Sequence, residues 1–364
     1  MAEPSEAAAS FFGATSNKRL AIDASAGIRP KGTLRVLRAG VWSPDDVLWA
    51  EKLVDRYENT TLSLIQPNGN DSDANVSSFL IPKTIHFIWL GSKPIPQQWS
   101  PENNVARDPR EDHTSWNACM GSWSKHHPLS SGWEIKLWTE SNVQSTFLDD
   151  DAPRSMSNGA AYEYAVSDQN YGLASDILRL EILWHFGGVY ADIDYLCTAS
   201  VDFLHSSLTF YCGASNVGCI EINNGLMGCT RQHVLVKRMM DDINKWFDGI
   251  STTKASQPRG SPLVLSSFLD EQSAESLSKA IALTHEDVIR HTGPGLITRT
   301  LTGLLVNSDK MDTRVAVLPA SYFHPYPNCD RHSLSNYQDT RAFVESYMNS
   351  NTRAIHLWGC SWQD

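Results

Sequence analysis

From Ile81 the chain runs Ile-Pro-Lys-Thr-Ile-His-Phe-Ile-Trp-Leu-Gly, an apolar stretch of strand length that stops at Gly91. Residues 132–138 alternate Trp133, Ile135 and Leu137 with polar neighbours, the period of a second strand. Between them the spacing around Trp116–His126 predicts a helix. A longer helical pattern covers Ser167–His185, and its residues Ile177, Leu178, Leu180, Ile182, Leu183 and Trp184 leave almost no polar face. Such a helix is expected to be buried on most sides. Gly187-Gly188 stop it, and a strand over Val189–Leu196 is expected next. Residues 231–247 have the period of an amphipathic helix, and 262–283 are expected to hold one or two more. Helices separated by short apolar strands predict a layered α/β domain over residues 79–364.

The first 78 residues have a different texture. Residues 1–40 are rich in Ala, Ser and Gly and read as a loosely ordered arm. Pro44–Tyr57 has the pattern of an amphipathic helix with Ser43 as N-cap, and residues 66–78 form a polar linker. Residues 1–78 are therefore expected to be a partly helical extension. The apolar runs never exceed four residues, far short of the ~20 of a membrane-spanning helix. The N-terminal stretch lacks a basic segment followed by an apolar one, so it is not expected to act as a secretory signal.

Charge changes the picture. Lys and Arg total 30 against 41 Asp and Glu, a formal net charge of -11 with no basic stripe, which disfavours a nucleic-acid partner. A phosphate-bearing ligand would then need a metal cation or a few well-placed cationic groups. Seven cysteines without a C-x-x-C pair argue against a disulfide scaffold or a zinc knuckle, and reduced thiols in a cytoplasmic protein are expected.

Asp-x-Asp occurs three times, at Asp71/Asp73, Asp149/Asp151 and Asp192/Asp194. The first two lie in polar stretches and read as solvated loop. The third ends the apolar stretch Val189-Tyr190-Ala191. Carboxylates there are costly unless they meet a cation, and strand alternation would put both on one face, able to share a hard divalent ion. Asp176 and Arg179, the polar exceptions on the preceding helix, share one side of it. They form either a helix-internal ion pair or a pair directed into a ligand pocket. His126-His127 before Pro128 read as a surface turn, and Trp116, Trp123, Trp133 and Trp138 as core.

The segment from Ile81 to Gly91, the gap after it, and Ala174–Leu196 with its Asp192-Ile193-Asp194 motif resemble a family. It is that of the DxD-motif, sugar-nucleotide-dependent glycosyltransferases of the yeast Och1-like α-mannosyltransferase kind, distantly related to the large clostridial glucosylating toxins. Echoes continue at Asn223–Met227, Thr292-Gly293-Pro294, and Ala354-Ile355-His356 through Ser361-Trp362. The resemblance implies a GT-A fold, a Rossmann-like sheet that binds a nucleotide sugar with Mn2+ or Mg2+. By position it assigns Trp89 to the nucleobase and Asp176 and Arg179 to the donor sugar and ribose. Tyr190 would line the donor pocket, and Asp192 and Asp194 would hold metal and diphosphate. Asn223 and Asn224 either make a turn or contact the donor or acceptor. His356 or Ser361 would approach the metal or diphosphate, with Trp362 covering the sugar. The residues 354–364 could equally supply a last core strand. The expected activity is a metal-dependent, retaining hexosyl transfer, from a UDP-sugar or GDP-mannose, to a hydroxyl of a small molecule, protein or lipid. Two rivals are a phosphohydrolase of haloacid-dehalogenase type, in which the first Asp is the nucleophile, and a catalytically silent nucleotide-sugar-binding module.

Overall fold

The computed structural model describes residues 5–13, 44–66, 79–95, 116–217, 220–255, 283–307, 312–331 and 340–359. The proposed cap Ser43, the linker at 67–78 and the expected helices within 262–282 lie outside these residues, as do Ser361 and Trp362.

The expected strands and helices organise one central sheet. Its six strands are β1 (Thr84–Ile88), β2 (Glu134–Trp138), β3 (Gly188–Ala191), β5 (Phe210–Ala214), β6 (Ile222–Cys229) and β7 (Val315–Leu318). Their order is β2-β1-β3-β6-β5-β7. Only β6 runs against the other five, which makes the sheet parallel-dominated. Two further strands, β4 (Tyr195–Cys197) and β8 (Ala354–His356), pair antiparallel as a small separate ribbon. The expected α/β class, with a parallel-dominated sheet, is the one observed.

The helix Trp116–His126 has the expected bounds. The helix expected over Ser167–His185 runs from Tyr171 to Phe186, capped by the Asn170 side chain on the Leu173 amide, and a separate helix, Gly159–Ser167, precedes it. Gly187 and Gly188, at φ +62° and +91°, turn the chain from that helix into β3. A Cβ on Gly188 would lie 2.4 Å from the Thr84 carbonyl oxygen of the adjacent strand, so only glycine fits where β3 meets β1. His86 locks the same junction. One ring nitrogen accepts from the Trp138 indole N–H and the other meets the Gly187 carbonyl at 2.9 Å, while burial pushes its pKa down to about 3.

The expected strand Val189–Leu196 is not continuous. It stops at Ala191, Asp192-Ile193-Asp194 form a turn, and β4 begins at Tyr195. The turn is held by the Tyr195 amide on the Asp192 carbonyl (3.2 Å) and by the Asp192 amide on the Gly225 carbonyl of β6 (2.8 Å). Trp123, Trp133 and Trp138 are core, as expected. His127 is not at the surface. It is fully buried, stacked on Trp123, and accepts the Val201 amide.

The described part of the N-terminal 78 residues packs on the same core. A helix forms over Glu6–Phe11 and the expected one over Pro44–Arg56. Phe11, Phe12, Trp49, Leu53 and Tyr57 join the main apolar cluster, and the Tyr57 and Tyr322 hydroxyls hydrogen-bond at 2.9 Å. Among the described residues, no helix is long and apolar enough to cross a membrane.

Candidate active site

In an open α/β sheet the carboxyl ends of the strands border a crevice, because the connecting segments diverge there. The turn Asp192–Asp194 leaves the carboxyl end of β3, beside the end of β1 that carries Trp89. Alternation along a strand does not bring the two carboxylates together, since the strand has ended. The turn does, with help from a third residue. Asp192, Asp194 and His356 offer ligand atoms that all lie within 4.8 Å of one another. His356 arrives on β8, directly opposite Tyr195 of β4.

Asp194 is nearly enclosed. Burial alone would raise its carboxyl, but the facing His356 (Nε2 to Oδ2, 3.2 Å) and the Gly359 amide (2.7 Å) outweigh it and hold the group below the usual carboxylate range. Asp192 is more open. Its Oδ1 accepts from the Tyr190 hydroxyl at 2.5 Å and faces Arg179 Nη2 at 3.4 Å. Gly225 makes room for it, as a Cβ there would sit 2.6 Å from Asp192 Oδ2.

Arg179 is the hub of the anionic side. Its Nη2 is 3.0 Å from Asp176 Oδ1, Nη1 donates to the Asn224 carbonyl at 2.9 Å, and Nε donates to the Ser175 carbonyl at 3.2 Å. The guanidinium lies over the Tyr190 ring at 4.7 Å. Burial works against its charge, yet Asp192, Tyr190 and Asp176 raise its pKa above the ordinary value. Asp176 is also buried, and burial raises its carboxyl despite Arg179, Thr292 and Asn224. Its Oδ2 accepts from the Thr292 hydroxyl (3.0 Å) and its Oδ1 from the Asn224 amide (2.9 Å). The ion-pair reading of Asp176 and Arg179 is the one observed, and Arg179 also reaches Asp192 of the turn.

Of the remaining expected residues, Tyr190 lies within this cluster. Asn223 and Asn224 belong to β6 rather than to a turn, and neighbours in a strand face opposite ways. Asn224 reaches Asp176. Asn223 points behind the turn, where its Oδ1 accepts from the Gly225 amide (2.7 Å) and the Tyr195 hydroxyl (3.1 Å). Trp89 is largely buried, edge-on to Trp116 at 5.2 Å, with its indole N–H on the Lys93 carbonyl. Thr292, Tyr195 and His324 were not expected at the site. Thr292 carried a signal, in the Thr292-Gly293-Pro294 echo, whereas His324 carried none.

A parallel-dominated sheet with one reversed strand carries an acidic turn with a histidine at the carboxyl end of its central strands, which makes the chain an α/β protein with a candidate metal-binding site there. Residues 113–211 match the family described as the glycosyltransferase sugar-binding region containing the DXD motif. Inositol phosphoceramide mannosyltransferase 1 of Schizosaccharomyces pombe is 29% identical over 189 residues, 52% of this chain and 50% of that protein. Subversion of eukaryotic traffic protein A of Legionella pneumophila is 22% identical over 254 residues, 64% of this chain and 33% of that protein. The chain thus spans half or less of the length of these relatives. The catalytic domain of alpha-toxin from Clostridium novyi superposes with a TM-score of 0.37 at 12% identity, over 83% of this chain and 85% of that one.

Proposed function

We propose that the chain is a metal-dependent, retaining glycosyltransferase that moves a hexose from a nucleotide-sugar donor to a hydroxyl acceptor. The observation that carries this is the convergence of Asp192, Asp194 and His356 within 4.8 Å, beside the Asp176–Arg179–Asn224 cluster. Two carboxylates and an imidazole suit Mn2+ or Mg2+. The fit is supported by the aim of the imidazole, whose Nε2 faces Asp194 Oδ2 at 3.2 Å. When bound, the ion neutralises the charge that develops on a departing nucleoside diphosphate. Mannosyltransferases among the relatives favour a mannosyl donor, with a UDP-sugar as the other donor class.

The chain's own groups divide the remaining work. Asp176 and Asn224 present an acceptor and a donor suited to sugar hydroxyls, and Arg179 holds positive charge beside them. Tyr190 keeps Asp192 in place, and Trp89 at the end of β1 is the stacking surface for the base. In a front-face displacement the acceptor hydroxyl forms its bond to C1 as the C1–O(phosphate) bond breaks. The hydroxyl proton passes to the departing phosphate oxygen, so no protein nucleophile is required. In this reading residues 79–364 are the catalytic domain and 1–78 an extension, the described part of which packs on the same core. Cys197, Cys212 and Cys229 are buried free thiols, which suits the cytoplasm.

The test is incubation with Mn2+ and a panel of nucleotide sugars, reading slow donor hydrolysis and transfer. Turnover that disappears with EDTA and in Asp192→Ala and Asp194→Ala, while a cooperative melt persists, is the expected result. Phosphate release from simple monoesters, or donor binding without any turnover, would overturn it.

A further inference from the structure

A metal-binding imidazole is usually oriented by a hydrogen bond from its second ring nitrogen to a carboxylate or carbonyl. Among the described residues His356 lacks that device, since its Nδ1 is buried and finds no partner there. Its ring is nevertheless closely confined. The cross-strand neighbour Tyr195 stacks on it at 4.4 Å between centroids and 1° between planes, and Trp358 lies 4.2 Å away at a tilt. The Tyr195 ring is itself pinned at its far end. Its hydroxyl contacts Asn223 Oδ1 at 3.1 Å and His324 Nε2 at 2.7 Å. Asn223 cannot turn away, because its Oδ1 also accepts the Gly225 amide and its Nδ2 donates to Ser215, which donates to Glu221. His324 is fully buried, so it too is held in place behind the Tyr195 hydroxyl.

We infer that Tyr195 is a positioning residue. Its ring face sets the plane of the His356 imidazole toward Asp192 and Asp194, and Asn223 and His324 anchor it from behind. This gives Asn223 a role distinct from donor contact. Orientation by stacking rather than by hydrogen bonding explains how a ligand on a three-residue strand, more than 160 residues from the acidic turn, presents a fixed face. The inference rests on the metal site proposed above.

The test measures Mn2+ affinity by the free-ion electron paramagnetic resonance signal, without donor or turnover. Tyr195→Met, which fills similar space with no ring face, is expected to bind Mn2+ about 10–100-fold more weakly, the usual cost of losing an outer-shell support. Tyr195→Phe keeps the face and should stay within about 3-fold of wild type. Wild-type affinity in a folded Tyr195→Met protein overturns the proposal, as does an equal loss in both variants, which would make the hydroxyl the agent. Should Tyr195→Met not fold, the metal-free wild-type protein decides. His356 ring protons shifted upfield by the tyrosine ring current support the stack, and unshifted ones overturn it. His356→Ala is the control: wild-type Mn2+ affinity there removes the metal-site assignment itself, whereas a loss there with none in Tyr195→Met removes only the role of Tyr195.

Discussion

Replacing Arg179 by Met removes a cation that faces both Asp176 and Asp192 while keeping an unbranched stem in the helix. In the wild-type protein the guanidinium touches Asp176 at 3.0 Å and Asp192 at 3.4 Å, and it satisfies two backbone carbonyls. Breaking a buried pair from one side leaves an uncompensated charge, a cost of about 3–5 kcal/mol. Part of that is recovered by protonation, since burial already raises the Asp176 carboxyl and loss of Arg179 raises it further. The sign follows from linkage. A carboxyl raised in the folded state costs stability as pH climbs from its unfolded pKa of about 3.9 to its folded one, and the cost is constant above. The deficit of Arg179→Met should therefore be about 3 kcal/mol or more at pH 7 and clearly smaller near pH 4. Urea unfolding at the two pH values measures both, and nucleotide-sugar turnover at pH 7 should fall to background. A deficit under about 1 kcal/mol at pH 7, the size expected of a surface pair, would refute the reasoning, as would one that does not change with pH.

Three further outcomes are expected. Gly225→Ala puts a methyl 2.6 Å from Asp192 Oδ2, so the carboxylate must move; a misplacement of this kind lowers turnover about 100-fold, while the melting temperature falls by only about 2–5 °C. Unchanged turnover would show that Asp192 does not need its present position. Trp89→Ala should weaken nucleoside diphosphate binding by about 1–3 kcal/mol in calorimetric titration of the folded protein, with a smaller loss in Trp89→Phe; a stability loss at constant affinity would make Trp89 core alone. Burial raises the Glu221 carboxyl to about 7, so wild-type stability should decline between pH 4.5 and 7 as the unfolded chain ionises first. Glu221→Gln should flatten that decline by about 2 kcal/mol, less than the full shift because the residue is partly exposed, and parallel curves for the two proteins would contradict it.

Periodicity found what periodicity encodes. The apolar run ending at Gly91, the alternation of Trp133, Ile135 and Leu137, and the all-round apolar helix before Gly187-Gly188 each became the expected element, because burial on a sheet or between layers leaves a local pattern. The order of the strands, with β6 reversed between β3 and β5, left none. The Asp192–Asp194 pair shows the boundary more sharply. Two carboxylates behind an apolar stretch mark it as a candidate in the sequence, but the structure brings them together by a different route from the one expected. Strand alternation was invoked where a turn does the work, because a three-residue turn between two apolar strands looks like one interrupted strand. His127 misled in the opposite direction. A His-His-Pro sequence looks like a surface turn, yet the ring is stacked on Trp123 and accepts an amide from residue 201, a contact 74 residues away that no local rule contains. Asn223 and Asn224 make the same point within the site. Read as a pair they suggest a turn or a shared contact. Placed in a strand they must face opposite ways, so one supports Asp176 and the other supports Tyr195. The surroundings of the acidic turn are assembled from distant segments, here 195, 223 and 324, and are recognisable only once the sheet has brought them together.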